Sequence, residues 1–166
     1  LLYNEQSRTS ENQDILDVMI DNNLNIKLLM FPEHGPKGSL DAGERFKNGV
    51  YKGIDYISLY SKKRKPTKED LKDIDVIIYD LQDVGSRYYT YISTMTYAME
   101  AASENNIEFI ILDRPNPING LSINGQINRE DSFVGMHEIP IRHGMTSGEL
   151  AQMIVSNDWC NCKDIK

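Results

Sequence analysis

The chain has 166 residues, enough for one domain with a real core, and sets 18 basic against 25 acidic residues for a net charge of -7. That balance argues against nucleic acid or an anionic membrane surface as the main partner. No apolar stretch approaches the roughly 20 residues of a membrane-spanning helix.

Leu1-Leu2-Tyr3-Asn4 reads as the tail of a strand whose beginning is missing, so the chain is expected to be a piece of a longer polypeptide, truncated at both ends. Ile15, Leu16, Met19 and Ile20 fall at helical spacing within residues 11 to 22, with Ser10 as N-cap. Residues 26 to 31 form a strand closed by Pro32. A glycine-rich loop runs from Gly35 to Gly53, a short strand follows near Tyr56 to Tyr60, and Thr67 opens a brief helix. Val76-Ile77-Ile78-Tyr79 is the continuous apolar run that a parallel strand covered on both faces requires.

Between Thr90 and Asn105, the residues Tyr91, Met95, Ala98, Met99 and Ala102 make one apolar helical stripe, and Phe109-Ile110-Ile111-Leu112 is a further buried strand. From Arg114 to Met145 periodicity fades and turn pairs accumulate. A loop of that length covers a site or contains an inserted hairpin, for which residues 122 to 127 are the candidate. Thr146-Ser147-Gly148-Glu149 is a capping box for a last helix through Val155. Cys160 and Cys162 are too close for an easy mutual disulfide and are expected as incidental thiols. The alternation of elements predicts an α/β fold, a doubly wound, mostly parallel sheet with helices on both faces.

Three of the strands run directly into acidic turns: Pro32-Glu33-His34-Gly35, Asp80-Leu81-Gln82-Asp83 and Asp113-Arg114-Pro115. Parallel strands end on one edge, and open α/β sheets bind ligands along that edge. Glu33 and His34 either transfer protons there or merely cap a turn and bond a backbone carbonyl. Asp83 either faces the crevice or pairs with Arg87. Arg87, Tyr88, Tyr89 and Tyr91 together suit a sugar with carboxylate or amide substituents. Asp113 either acts directly or forms an ion pair with Arg114 or Arg87. Successive acids at one edge favour a proton donor and a charge stabiliser sharing a cleft.

No G-x-G-x-x-G or G-x-x-x-x-G-K-[ST] pattern opens a helix, so no nucleotide cofactor is expected. His34, His137 and His143 are scattered without metal-ligand spacing, and no metal is expected either. The basic run of residues 62 to 65 reads as a solvated surface.

These residues carry a resemblance. Phe31-Pro32-Glu33-His34-Gly35, Asp41-Ala42-Gly43-Glu44, Ser58-Leu59-Tyr60, Asp80-Leu81-Gln82-Asp83-Val84-Gly85-Ser86-Arg87-Tyr88-Tyr89, Leu112-Asp113-Arg114-Pro115 and His143-Gly144-Met145-Thr146 resemble the N-terminal domain of the NamZ family of exo-β-N-acetylmuramidases, in the same order and over nearly the whole chain. Members of that family remove terminal N-acetylmuramic acid from the non-reducing ends of peptidoglycan fragments. The resemblance implies a Rossmann-like N-terminal catalytic domain over residues 1 to 166, a peptidoglycan-derived saccharide as substrate, and no cofactor. It also implies a secreted or periplasmic location and a C-terminal domain of the same polypeptide that completes the cleft.

By the same resemblance Glu33 leads as catalytic residue, cast as general acid; Asp83 is the candidate for the second catalytic group, a role open between nucleophile, water-activating base and the substrate's own acetamido group. His34, Arg87, Tyr89, Asp113, Arg114 and His143 are carried over as groups lining the substrate site. Burial among apolar strands and the charge of Asp83 are expected to raise the pKa of Glu33. Arg87, Arg114 or a group from the C-terminal domain is expected to receive the lactyl carboxylate of muramic acid. The alternative is a saccharide-binding α/β domain without catalysis.

Overall fold

The computed structural model describes residues 1–130, 132–162 and 165–166. Six strands form one sheet: β1 (Leu2–Tyr3), β2 (Leu29–Phe31), β3 (Gly49–Tyr51), β4 (Ile54–Ser58), β5 (Val76–Asp80) and β6 (Glu108–Ile111). Their order across the sheet is β3-β4-β2-β1-β5-β6, and every neighbouring pair is parallel except β3 with β4. The chain thus winds outward from β1 on one side and returns to build β5 and β6 on the other. The reversal at β1 opens a crevice at the carboxyl ends of the strands.

Three helices cover the sheet: α1 (Ile15–Asp21), α2 (Tyr91–Glu104) and α3 (Ser147–Ser156). Alternating side chains separate two cores, as the pleat dictates. Leu2, Met30, Ile57, Ile77 and Tyr79 meet Met95 and Met99 of α2 and Leu150 and Ile154 of α3. Tyr3, Leu29 and Phe31 meet Leu16 of α1. The doubly wound, mostly parallel α/β fold is therefore present, with helices on both faces.

Several local expectations are corrected. The first helix starts at Ile15, because Asp14 caps it by accepting from the Leu16 N–H at 2.8 Å, while Thr9 gathers the Glu11 and Gln13 amides into a separate turn. The short strand near Tyr56 is half of a hairpin whose two turn residues, Lys52 and Gly53, both have positive φ. That geometry suits the twist of the flanking strands. The helix expected at Thr67 is a single turn, since the Asp70 carboxylate is claimed by the Thr67 N–H, the Thr67 hydroxyl and Lys63, and Asp73 turns left-handed at φ 61°. Residues 122 to 127 do not fold on themselves; Asn124 pairs antiparallel with Arg142. Cys160 and Cys162 are joined as a disulfide, because the bend between them leaves their Cα atoms 5.3 Å apart, within the ordinary span of such a bond.

The helix α2 is buried on more than its one apolar stripe, for Ser93, Thr94 and Thr96 are enclosed as well. The long segment after β6 packs over it: Ser93 donates to the Phe133 carbonyl at 2.7 Å, and Thr96 is 2.8 Å from Nε2 of His137. This segment forms one wall above the strand ends.

Candidate active site

Glu33 is placed by the strand before it. Phe31, fully buried, meets the rings of Tyr3, Tyr51 and Tyr56 at centroid distances of 5.3, 5.8 and 5.2 Å. Pro32 then ends the ladder, and Glu33 follows with 8 % of its surface exposed. Its Oε1 accepts from the Gly43 N–H at 2.9 Å and its Oε2 from the Thr90 hydroxyl at 2.7 Å, while the Tyr60 hydroxyl donates a further bond. Burial pushes the carboxyl up, but Thr90, Gly43, Tyr60 and the neighbouring His34 outweigh it and hold Glu33 below the usual carboxylate range. The expectation of a raised pKa is thereby reversed: enough donors enter the site with the carboxylate to replace its lost water.

Thr90 occupies the N-cap position of α2, yet it lies in the helical region at φ -73° and makes no side-chain capping bond. A capping threonine is worth about 1 kcal/mol. Here the hydroxyl serves Glu33 instead.

His34 turns left-handed at φ 72°, and its Nδ1 donates to the Leu40 carbonyl at 2.8 Å. That bond makes Nε2 the lone-pair nitrogen of the neutral ring. Tyr89 lies 6.3 Å from the His34 ring and meets Tyr91 edge-on at 4.9 Å, and the Tyr91 hydroxyl accepts from Asn4 Nδ2 at 3.0 Å. Glu33, His34 and Tyr89 are thus brought together, with Asn4 of the β1 end behind them.

Asp83 forms a second cluster on the same rim. Its Oδ2 accepts from the Gly85 N–H at 2.6 Å and from His143 Nε2 at 3.1 Å. The His143 Nδ1 accepts from the Met145 N–H at 3.2 Å, which assigns the ring proton to Nε2. Asp83 and His143 are both buried, and Asp83 Oδ1 has no hydrogen-bond partner among the described residues. Since β2 and β5 flank β1, the backbones that carry Glu33 and Asp83 leave the sheet roughly 10 Å apart, two inter-strand spacings.

The remaining expected site residues have structural partners. Arg87 does not pair with Asp83; its Nη1 donates to the carbonyls of Gln126 and Ile139 at 2.7 and 2.6 Å, pinning the long segment. Asp113 forms no ion pair with Arg114 or Arg87 among the described residues; its Oδ1 accepts from the backbone N–H of Arg114 at 3.0 Å. The carboxylate also accepts from the Gly148 N–H at 2.9 Å and the Thr146 hydroxyl at 2.6 Å, holding the positive end of α3. Arg114 reaches back to Asp80 Oδ1 with Nε and Nη2 at 2.9 and 2.5 Å, and its Nη1 donates to the Arg8 carbonyl. Burial raises the pKa of Asp80, and Arg114 offsets this only in part. His143 lies enclosed behind Asp83 rather than at the surface of the crevice.

Tyr60 and Thr90, whose hydroxyls bond Glu33, are not among the site residues expected from the sequence, although Ser58-Leu59-Tyr60 belongs to the motifs that carry the resemblance. Tyr60 also faces Phe133, with ring centroids 6.1 Å apart. A cleft of about 750 Å³ is lined by Arg87, Tyr88, Gln126, Arg129, Glu130 and Val134. A cavity of about 320 Å³ at the opposite edge of the sheet is lined chiefly by aliphatic residues such as Leu24, Ile26, Leu71 and Val76. The hydrogen-bonded carboxylates Glu33 and Asp83 gather at the first rim, not at this cavity.

Fold and rim together define a Rossmann-like α/β domain with a buried, hydrogen-bonded glutamate beside its topological switch point. The chain belongs to the family described as "Exo-beta-N-acetylmuramidase NamZ, N-terminal", whose sequence model matches residues 1–166. It is 44 % identical over 158 residues to the peptidoglycan beta-N-acetylmuramidase NamZ of Bacillus subtilis (strain 168), covering 92 % of this chain and 38 % of that protein. Two crystal structures of DUF1343 family proteins from Bacteroides fragilis NCTC 9343 superpose with TM-scores of 0.85 and 0.79 at 46 % and 37 % identity, each match covering 96 % of this chain and 42 % of the other. The chain spans about two fifths of the length of the relatives it matches.

Proposed function

We propose that the Glu33 rim belongs to a glycoside hydrolase that releases terminal N-acetylmuramic acid from the non-reducing ends of peptidoglycan fragments. The family membership and the activity in the name of the Bacillus subtilis relative support this reading. The observation that carries it is the enclosed Glu33 carboxylate with its three donors at the carboxyl ends of the strands.

Glycoside hydrolysis uses one carboxylic acid to protonate the leaving oxygen and a second group to support an oxocarbenium-like transition state. The donors around Glu33 hold its carboxyl below the usual carboxylate range and so favour its charged form. A sugar that takes over the Gly43 or Tyr60 bond removes donors favouring the charged form and excludes water, and both changes raise the carboxyl toward the protonated state that an acid needs. Asp83, oriented by Gly85 and His143, is the second group, with His34 and Tyr89 contacting the sugar. In this reading the protein works outside the cytoplasm, in cell-wall degradation, and a C-terminal domain of the same polypeptide closes the cleft. Leu121 and Ile123, 95 % and 69 % exposed on the long segment, support a covered face there.

The test is Glu33→Gln in the full-length protein, assayed on a chromogenic β-N-acetylmuramide. Glutamine keeps an acceptor for Gly43 or Thr90, and the rate should fall ~10²–10⁴-fold. Activity within about tenfold of wild type removes Glu33 from the acid role. Inactivity of both proteins with retained saccharide binding favours a non-catalytic binding domain.

A further inference from the structure

Two aromatic rings away from Glu33, across Tyr60 and Phe133, lies a cation that the groups above leave unused. Arg64 belongs to the basic run of residues 62 to 65, whose lysines at 63 and 65 have acidic partners: Lys63 pairs with Asp70 at 2.6 Å, and Lys65 with Glu100 and Glu104 at 3.1 and 2.8 Å. Arg64 instead lies over the ring of Phe133, its guanidinium carbon 4.1 Å from the centroid. That ring is fixed from two other sides, stacked on Tyr97 at 6.0 Å and held through its own carbonyl by Ser93. It faces Tyr60, whose hydroxyl bonds Glu33. Arg64 is exposed, and no salt bridge among the described residues includes it. Burial and the Glu33 carboxylate raise the pKa of the Tyr60 hydroxyl, and the charges of Arg64 and Arg45 oppose that rise.

We propose that Arg64, carried on Phe133 beside Tyr60, receives the carboxylate of the lactyl ether that distinguishes muramic acid from glucosamine, and so sets the preference for an anionic sugar. This rests on the muramidase reading above. The two arginines expected for the task are committed elsewhere: Arg87 to the Gln126 and Ile139 carbonyls, Arg114 to Asp80 and the Arg8 carbonyl. A guanidinium stacked on an aromatic face is weakly hydrated and held in place, and its in-plane N–H edge stays free for a carboxylate.

The full-length protein is assayed on three chromogenic β-glycosides: the N-acetylmuramide, its neutral lactyl amide and the N-acetylglucosaminide. In Arg64→Gln, kcat/KM on the muramide should fall about 10- to 100-fold, chiefly through KM, as for loss of a hydrogen bond to a charged group. Turnover of the lactyl amide should stay within about threefold, and Arg64→Lys should recover part of the loss, because it restores the charge without the fork. Equal losses on charged and neutral substrates, or no loss on the muramide, overturn the assignment of Arg64 alone. A wild-type protein that cleaves none of the three overturns the muramidase reading and this inference with it.

Discussion

Thr90 stands at the start of α2 and gives its hydroxyl to Glu33 at 2.7 Å, not to the helix. The helix begins without that bond because Tyr91, Ile92 and Met95 are anchored by burial. One residue thereby ties the end of β2 to the first turn of α2 and the charge state of the carboxylate to both.

In Thr90→Val the Glu33 carboxyl loses the donor that lowers its pKa most, so its midpoint should move up, as followed by NMR of the side-chain carboxyl. The sign for stability follows from linkage. A carboxyl depressed on folding adds stability that is fully present above its unfolded pKa and is lost as the pH falls through its folded pKa. The variant should therefore show a flatter acid limb, and Thr90→Ser should restore it. An unchanged midpoint in the valine variant refutes the coupling.

Asp113→Ala should act on stability rather than on chemistry. It removes the acceptor for the Gly148 N–H and the Thr146 hydroxyl at the N-terminus of α3, a loss of about 1 kcal/mol by urea denaturation, with kcat held within about threefold. A hundredfold fall in kcat at wild-type stability would return Asp113 to the reacting groups.

Gly85→Ala tests the support of Asp83. Gly85 has φ 81°, and a Cβ there would overlap Asn116 Oδ1 and lie 2.6 Å from Ile118 Cγ1. Left-handed strain and overlap together should cost about 2 kcal/mol or more. Saccharide binding should weaken in parallel, because relief of the overlap shifts the turn and carries the backbone N–H of position 85, which alanine keeps, away from the Asp83 carboxylate. A fully stable alanine variant would show that the turn relaxes freely.

His137 should write a separate segment of the pH–stability curve. It is buried, stacked on Trp159 at 5.5 Å, and burial lowers its pKa to about 4, with Glu100 opposing weakly. Between that value and the unfolded pKa of about 6.5, the unfolded chain binds the proton and the native one does not. Stability should thus drop as the pH falls through this window, by about 3 kcal/mol at most. His137→Gln should remove that slope while leaving the more acidic limb assigned to Glu33. Parallel curves for the two proteins would show that His137 titrates normally.

The strands and their common rim were legible because continuous apolar runs such as Val76-Ile77-Ile78-Tyr79 leave little choice but a strand covered on both faces, and parallel strands end together. Partners were not legible. Glu33 and Asp113 look alike in the chain, each an acid just past an apolar run, and only packing separates the enclosed carboxylate from the anchor of α3. Thr90 was hidden because threonine at a helix start reads as a cap, and Arg64 because a basic run reads as solvated surface. The strand at Gly49–Tyr51 was missed because three residues hold too little alternation to register.

Much of the segment after β6 is fastened through its main chain. Arg87 and Ser93 of the framework grip the carbonyls of Gln126, Ile139 and Phe133, so these anchors do not depend on which side chains those positions carry. Substitutions along that wall can therefore reshape what the crevice admits while the fastening persists, and selection for new ligands has a place to act without first loosening the domain.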